Sequence, residues 1–190
     1  TLFRSDGQIT ICRARARATF PAHPLLVAAV NPCPCGFAGE RSRRCLCNAE
    51  RVRQYRARLS GPLLDRIDLH IVLPPVDITH LQGVERGEAS SAVRARVCAA
   101  REIQRARVGA DLRASTNAAL SPRELERVAR PDAEGARLLG AAVERLGLSA
   151  RAYGKVLRVA RTIADLEGST AVHASHLGEA IQARLLDRGM

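Results

Sequence analysis

Four cysteines within fifteen residues, CPCGFAGERSRRCLC at 33–47, constrain this chain more than any other feature. The stretch between them is basic and glycine-containing, so it cannot order itself by burying apolar area. The two Cys-x-Cys pairs therefore make a disulfide staple, a redox pair or a metal clamp. A staple requires an oxidising compartment, which nothing near the N-terminus supports, and the spacing is not the Cys-x-x-Cys of thioredoxin-like redox centres. Four thiolates so close together fit tetrahedral zinc held by Cys33, Cys35, Cys45 and Cys47, with free or redox-active thiols as the alternative. A closed site of this kind leaves no position for water. Its work would be to pin a polar loop, not to catalyse. Cys12 and Cys98 fall outside the cluster and read as small core residues.

The remaining composition permits a packed domain, or two small ones, in 190 residues: 46% of the chain is hydrophobic but only 3% aromatic, so a core must be built from Ala, Leu, Val and Ile. No run approaches the roughly 18 to 20 apolar residues of a membrane span, and no hydrophobic signal core opens the chain. The expectation is a soluble cytoplasmic protein without a membrane partner. Residues 1–58 carry eleven Arg against Asp6, Glu40 and Glu50, which is +8 of the chain's +11. Such a patch suits a polyanion such as nucleic acid, contacted through phosphates. The alternative is an ordinary solvated face, because the chain is Ala- and Arg-rich throughout and holds a single lysine, Lys155.

Along the chain, PLLVAAV (24–30) is an unbroken apolar run stopped by Asn31-Pro32, the pattern of a strand buried on both faces of a parallel sheet. Upstream, ITICRARARATF alternates with period two, predicting a β-hairpin with Arg13, Arg15 and Arg17 on one side. LHIVLPP (69–75) is a second strand candidate, ended by its Pro pair. Beyond Gly83 the pattern turns helical, from AVRARVCAAREIQRARV onward. Ser121-Pro122 starts a helix with Glu124 in the capping-box position, and residues 132–146, 149–167 and 173–188 have helical spacing, the middle one opened by Ser149 and closed near Gly168. The predicted architecture is α/β plus all-α: a partial parallel sheet with a β-hairpin over residues 1–83, then a helical bundle over 84–190.

The run VNPCPCGFAGERSRRCLCNAERVRQYRARLSGPLLDRIDLHIVLPPVD resembles the magnesium-chelatase-like AAA+ ATPases of the ComM/YifB type, and SARAYGKVLRVARTIADLEGS resembles the helical lid of the same family. The resemblance implies the C-terminal part of a P-loop NTPase core followed by its lid. Asn31 then matches the sensor-1 residue that orients the attacking water against the γ-phosphate of ATP. Arg66 matches the arginine finger, which offsets charge on the transferring phosphoryl group of a neighbouring subunit's ATP. The competing role for Arg66 is an ion pair with Asp65 or Asp68. Arg151 matches sensor 2, which links nucleotide state to lid position. Arg13, Arg15 and Arg17 match the hairpin that points basic side chains into the pore of related helicase rings, implying DNA contact through phosphates. Alternatively they guard an exposed sheet edge. None of the five histidines has metal-ligand spacing.

The chain departs from the family in lacking a G-x-x-x-x-G-K-[ST] loop and the acidic strand that would hold Mg²⁺. Its opening, TLFRS, is unlike the family and matches the translation of a common sequencing-adaptor end. The expectation is therefore a fragment cut between the metal-binding strand and the hairpin, unable to hydrolyse ATP alone, from a parent that uses ATP and Mg²⁺ in a homo-oligomeric ring, a hexamer by family, to remodel DNA or migrate its branches. Two other functions compete: a chelatase motor subunit driving Mg²⁺ into a porphyrin, and a non-enzymatic zinc-stabilised nucleic-acid-binding module.

Overall fold

The computed structural model describes residues 7–13, 16–22, 24–39, 43–74, 87–108 and 116–184. The chain divides into two compact units, Thr1–Asn31 and Pro32–Met190.

The first unit is built on an antiparallel pair, β1 (Gln8–Arg13) and β2 (Ala16–Pro21). The predicted hairpin is present, with Gln8 opposite Pro21 and Arg13 opposite Ala16. Its open end is closed by a hydrogen bond from Ala22 N to Gly7 O at 2.7 Å. Arg13 ends β1 and Arg17 lies in β2, so the two are on different strands. Arg13 faces Ala16 and Arg17 faces Cys12. Directly opposed residues point to the same side and adjacent ones to opposite sides. Arg13 and Arg17 thus project from opposite faces of the ribbon, which corrects the expectation of one cationic side; Arg15 lies outside the described residues.

The 24–30 run is not a strand. It is irregular and exposed, Leu25 to 89% and Val27 to 84%. Residues 69–74 are likewise not a strand, with Leu73 exposed to 84%; Pro75 lies outside the described residues. The expected parallel sheet is therefore absent among the described residues. The physical reason is simple: a strand satisfies its backbone only through a neighbouring strand, and among the described residues neither run pairs with one. Cys12 and Cys98 are both exposed, contrary to expectation. Cys12 lies on the two-stranded ribbon, whose β2 residues are all exposed, and Cys98 lies on the solvent side of its helix.

The second unit is helical: α1 (Ala49–Arg56), α2 (Gly61–Leu64), α3 (Ser90–Val108), a 3-10 turn (Asn117–Ala119), α4 (Pro122–Val128), α5 (Ala133–Leu146), α6 (Ala150–Leu166) and α7 (Ala174–Gln182). The predicted starts are where the capping residues put them. The Ser121 hydroxyl accepts from Glu124 N while the Glu124 carboxylate accepts from Ser121 N at 2.7 Å. Asp132 and Ser149 cap α5 and α6 from one side only, accepting from Gly135 N at 2.7 Å and Ala152 N at 3.0 Å. α5 ends on Gly147 in the left-handed conformation at φ 58°. α7 approaches α5 so closely that a Cβ on Gly135 would meet Leu177 at 2.6 Å. Residues 185–188 of the last predicted helix lie outside the described residues.

Leu125, Leu139, Val156, Leu157, Ala160, Ala164, Val172 and Leu177 form the core between α4, α5, α6 and α7. A buried polar knot ties α3 to this core. Asp165 of α6, with no exposed side-chain surface, accepts from Arg107 of α3, from Asn117 Nδ2 at 2.8 Å and from Arg161 Nε at 3.0 Å. Asp165 is held below the usual carboxylate range, because these donors outweigh a burial that acts to raise it. Arg161 also donates to the carbonyls of Ser169 (2.5 Å) and Thr170 (2.9 Å), closing the turn after α6.

Candidate metal cluster and arginine site

The four cysteines come together. Their sulfurs all lie within 4.8 Å of one another, with Cys33 to Cys35 at 3.3 Å, Cys35 to Cys45 at 3.6 Å and Cys33 to Cys45 at 3.7 Å. Sulfurs at the corners of a tetrahedron around zinc are about 3.8 Å apart, from a Zn–S length of about 2.3 Å. All four cysteines are unbridged, so the cluster could bind a metal. Two turns make it. Gly36 and Gly39 take φ of 85° and 84°, which fold the chain back so that Ala38 N donates to Cys33 Sγ at 3.3 Å. Backbone N–H groups of Phe37 and Leu46 lower Cys35 to about 6. Cys45 is pushed up to about 11: its bond from Cys47 N pulls it down, but burial and the neighbouring sulfurs of Cys35 and Cys33 outweigh that. In such a set some thiols are lowered and others raised, and a bound cation would displace the remaining protons. The cluster is joined to α1 by Arg56 Nε, which donates to Pro32 O at 3.1 Å.

The second constellation surrounds Arg66. Ser60 caps α2, whose single turn ends at Leu64 and leads into Asp65-Arg66-Ile67-Asp68. The N-terminus of α6 grips this segment. Asp65 accepts from Ser149 Oγ at 3.0 Å and from Arg151 Nη1 at 3.3 Å. One turn further along α6, Lys155 donates to the Arg66 carbonyl and pairs with Asp68 at 3.0 Å. The buried Arg184 donates to Ile67 O at 2.8 Å, and His70 N donates to Ala183 O at 2.6 Å. Both acids beside Arg66 are thus taken by cations of α6. The exposed Arg66 guanidinium donates to Pro62 O at 2.9 Å. A groove of about 220 Å³ runs beside the junction, lined by Gly61, Leu64, Asp65, Gly147, Ser149 and Ala152.

Of the residues singled out from sequence, the structure assembles the cysteines, and it brings Arg151 onto the residue preceding Arg66. Asn31 lies at the end of the first unit, exposed and not on a strand. Arg13 and Arg17 are exposed on their ribbon. Sequence reasoning gave no role to Lys155, Ser149 or Arg184 in holding the Arg66 segment. The available signal was local: Ser149, Arg151 and Lys155 fall within two turns of one helix.

A family model described as "Magnesium chelatase, subunit ChlI" matches residues 4–81, and one described as "Magnesium chelatase, subunit ChlI C-terminal" matches residues 87–184. The chain belongs to this magnesium-chelatase ChlI family. Within it, the likeness is to the ComM/YifB type. The chain is 42% identical over 185 residues to competence protein ComM of Haemophilus influenzae, covering 96% of this chain and 35% of that protein. It is 43% identical over 186 residues to YifB of Escherichia coli, with the same coverage. It therefore spans about a third of the length of the relatives it matches.

Proposed function

We propose that these residues are the finger-bearing and sensing part of an AAA+ motor of the ComM/YifB type, whose whole protein hydrolyses ATP with Mg²⁺ in a homo-oligomeric ring, a hexamer by family, and remodels DNA in the cytoplasm. In this reading residues 1–83 complete the ATPase core and 84–190 form its lid. Arg66 is the finger that offsets charge on a neighbour's transferring phosphoryl group, Arg151 senses nucleotide state, and Asn31 orients the attacking water. The observation that carries the reading is the treatment of Arg66. Asp65 and Asp68, its possible ion-pair partners, are engaged by Arg151 and Lys155, which leaves an exposed guanidinium on a firmly held backbone.

Nothing in the 190 residues matches a phosphate-gripping loop, and their one lysine is committed to Asp68 and the Arg66 carbonyl. The chain alone accordingly does not turn over ATP. Zinc at Cys33, Cys35, Cys45 and Cys47 closes the loop between Asn31 and α1 without a catalytic role. Arg13, Arg15 and Arg17 contact DNA phosphates from the hairpin. A second reading, a chelatase motor that drives Mg²⁺ into a porphyrin, is favoured by the description of both family models; the Cys-x-Cys loop and the basic hairpin favour the DNA motor.

In the full-length protein, Arg66→Ala is expected to abolish ATP turnover while nucleotide affinity stays within about twofold. Equal loss of turnover and binding would make Arg66 a structural residue and sink the proposal. Stimulation of turnover by DNA, against stimulation by a porphyrin, separates the two motors.

A further inference from the structure

We infer that Lys155 is a positioning residue for Arg66: it holds the finger's backbone from the lid helix, so that the guanidinium enters a neighbouring site at a fixed place. This inference rests on the reading of Arg66 given above. The Lys155 side chain is 12% exposed and points its ammonium at two acceptors, the Arg66 carbonyl and Asp68 Oδ1. An ammonium has three donors and no acceptor, so a mostly buried one needs such a carbonyl and carboxylate around it. Of these two acceptors, the Arg66 carbonyl is the one that bears on the finger. It belongs to the very residue whose side chain is left without an acid, and it fixes the peptide plane from which that side chain departs.

The neighbouring contacts complete a bracket. Before Arg66, Asp65 is held by Ser149 and Arg151; after it, the Ile67 carbonyl is held by Arg184. Arg151 and Lys155 are four residues apart on α6 and so lie on one face, one turn above the other. The helix thus touches the segment on both sides of Arg66 and leaves its guanidinium outward. Arg151, 59% exposed, and Asp65, 25% exposed, form a screened pair that contributes little rigidity. The Lys155–Asp68 pair is screened as well, Asp68 being 68% exposed, so it is the bond from the mostly buried Lys155 to the Arg66 carbonyl that carries the positioning. A finger displaced by about 1 Å loses on the order of a hundredfold in rate without any change in how nucleotide is gripped.

The test compares Arg66→Ala, Lys155→Met and Lys155→Arg in the full-length protein, reading kcat, the KM for ATP and the melting temperature. Lys155→Met is expected to lower kcat at least about tenfold, with KM within about twofold and melting unchanged. Lys155→Arg, which keeps a cationic donor, is expected to recover part of the loss. If Lys155→Met leaves kcat intact while Arg66→Ala abolishes turnover, the finger stands and the positioning role falls. If Arg66→Ala is harmless, the finger reading itself falls. A Lys155→Met protein that loses kcat, affinity and melting temperature together marks a packing lysine and overturns the inference. Should that variant not assemble, hydrogen exchange on the 190-residue chain decides. Faster exchange at residues 64–68 with α5 and α7 unchanged supports the role, and unchanged exchange there overturns it.

Discussion

Two apolar stretches of this chain meet opposite fates. In α6, Val156, Ala160 and Ala164 have no exposed surface at all, whereas in the 24–30 run Leu25 and Val27 are almost fully exposed. Hydrophobicity does not distinguish them. A helix satisfies its backbone internally and presents an apolar face that α4 and α7 can cover, so its fold is carried within the sequence of the bundle. An extended run satisfies nothing internally and must borrow both hydrogen bonds and cover from neighbours. Between these extremes lies the 33–47 loop, whose described residues form no strand and which brings four sulfurs within 4.8 Å of one another.

That loop should respond most to removal of what orders it. If metal ligation is what orders it, purified protein holds one zinc per chain, and a strong chelator abolishes protection of residues 33–47 while leaving α5 to α7 unchanged. Protons compete with metal for thiolates, so release runs as pH falls, not as it rises. Zinc-free protein with a fully protected loop would show that the turns alone suffice. The next largest effect is in the bundle. Asp165→Ala leaves the guanidiniums of Arg107 and the buried Arg161 without their shared carboxylate. Breaking a buried charge network from one side costs about 3 to 5 kcal/mol, a large part of a domain's stability. Denaturant unfolding reads this directly, and a loss below about 1 kcal/mol would mean that the knot is solvated.

What was legible in the sequence follows the same division. Ser121-Pro122 with Glu124, and Ser149 before α6, announce helices because a cap is chemistry between residues three apart. α1 escaped because AERVRQYR has no apolar stripe and buries nothing; its one signal was Asn48, whose side chain accepts from Arg51 N. α2 repeats the Ser-x-Pro grammar of a start but runs for a single turn. The 24–30 run and residues 69–74 read as strands but are not, because composition reports what a strand would like to meet, not whether it meets it. The hairpin is as expected but its single cationic side is not, because the antiparallel register sets Arg13 opposite Ala16 and Arg17 opposite Cys12, in the middle of the arginine alternation. At the site, the cysteine cluster was readable from spacing alone. The bracket around Arg66 was not, since Asp65 and Arg151 are 86 residues apart and only the folded bundle brings them together.

The smallest effect is the most direct test of the contrast between the two apolar stretches. Val27 is 84% exposed, so replacing it with Ser removes no buried surface, and the change should alter stability by no more than about 0.5 kcal/mol. Hydrogen exchange across β1 and β2 should be equally untouched. Val156 has no exposed surface, and the same truncation of size there, Val156→Ala, removes core contacts and costs on the order of 1 to 3 kcal/mol. If Val27→Ser instead destabilises the chain by more than about 1 kcal/mol, the run is covered in solution after all. The covering surface can then be recognised by its concentration dependence. A loss that grows on dilution means that copies of the chain cover one another's runs, as exposed apolar segments with unpaired backbone tend to do. A loss independent of concentration means that the cover comes from the same chain.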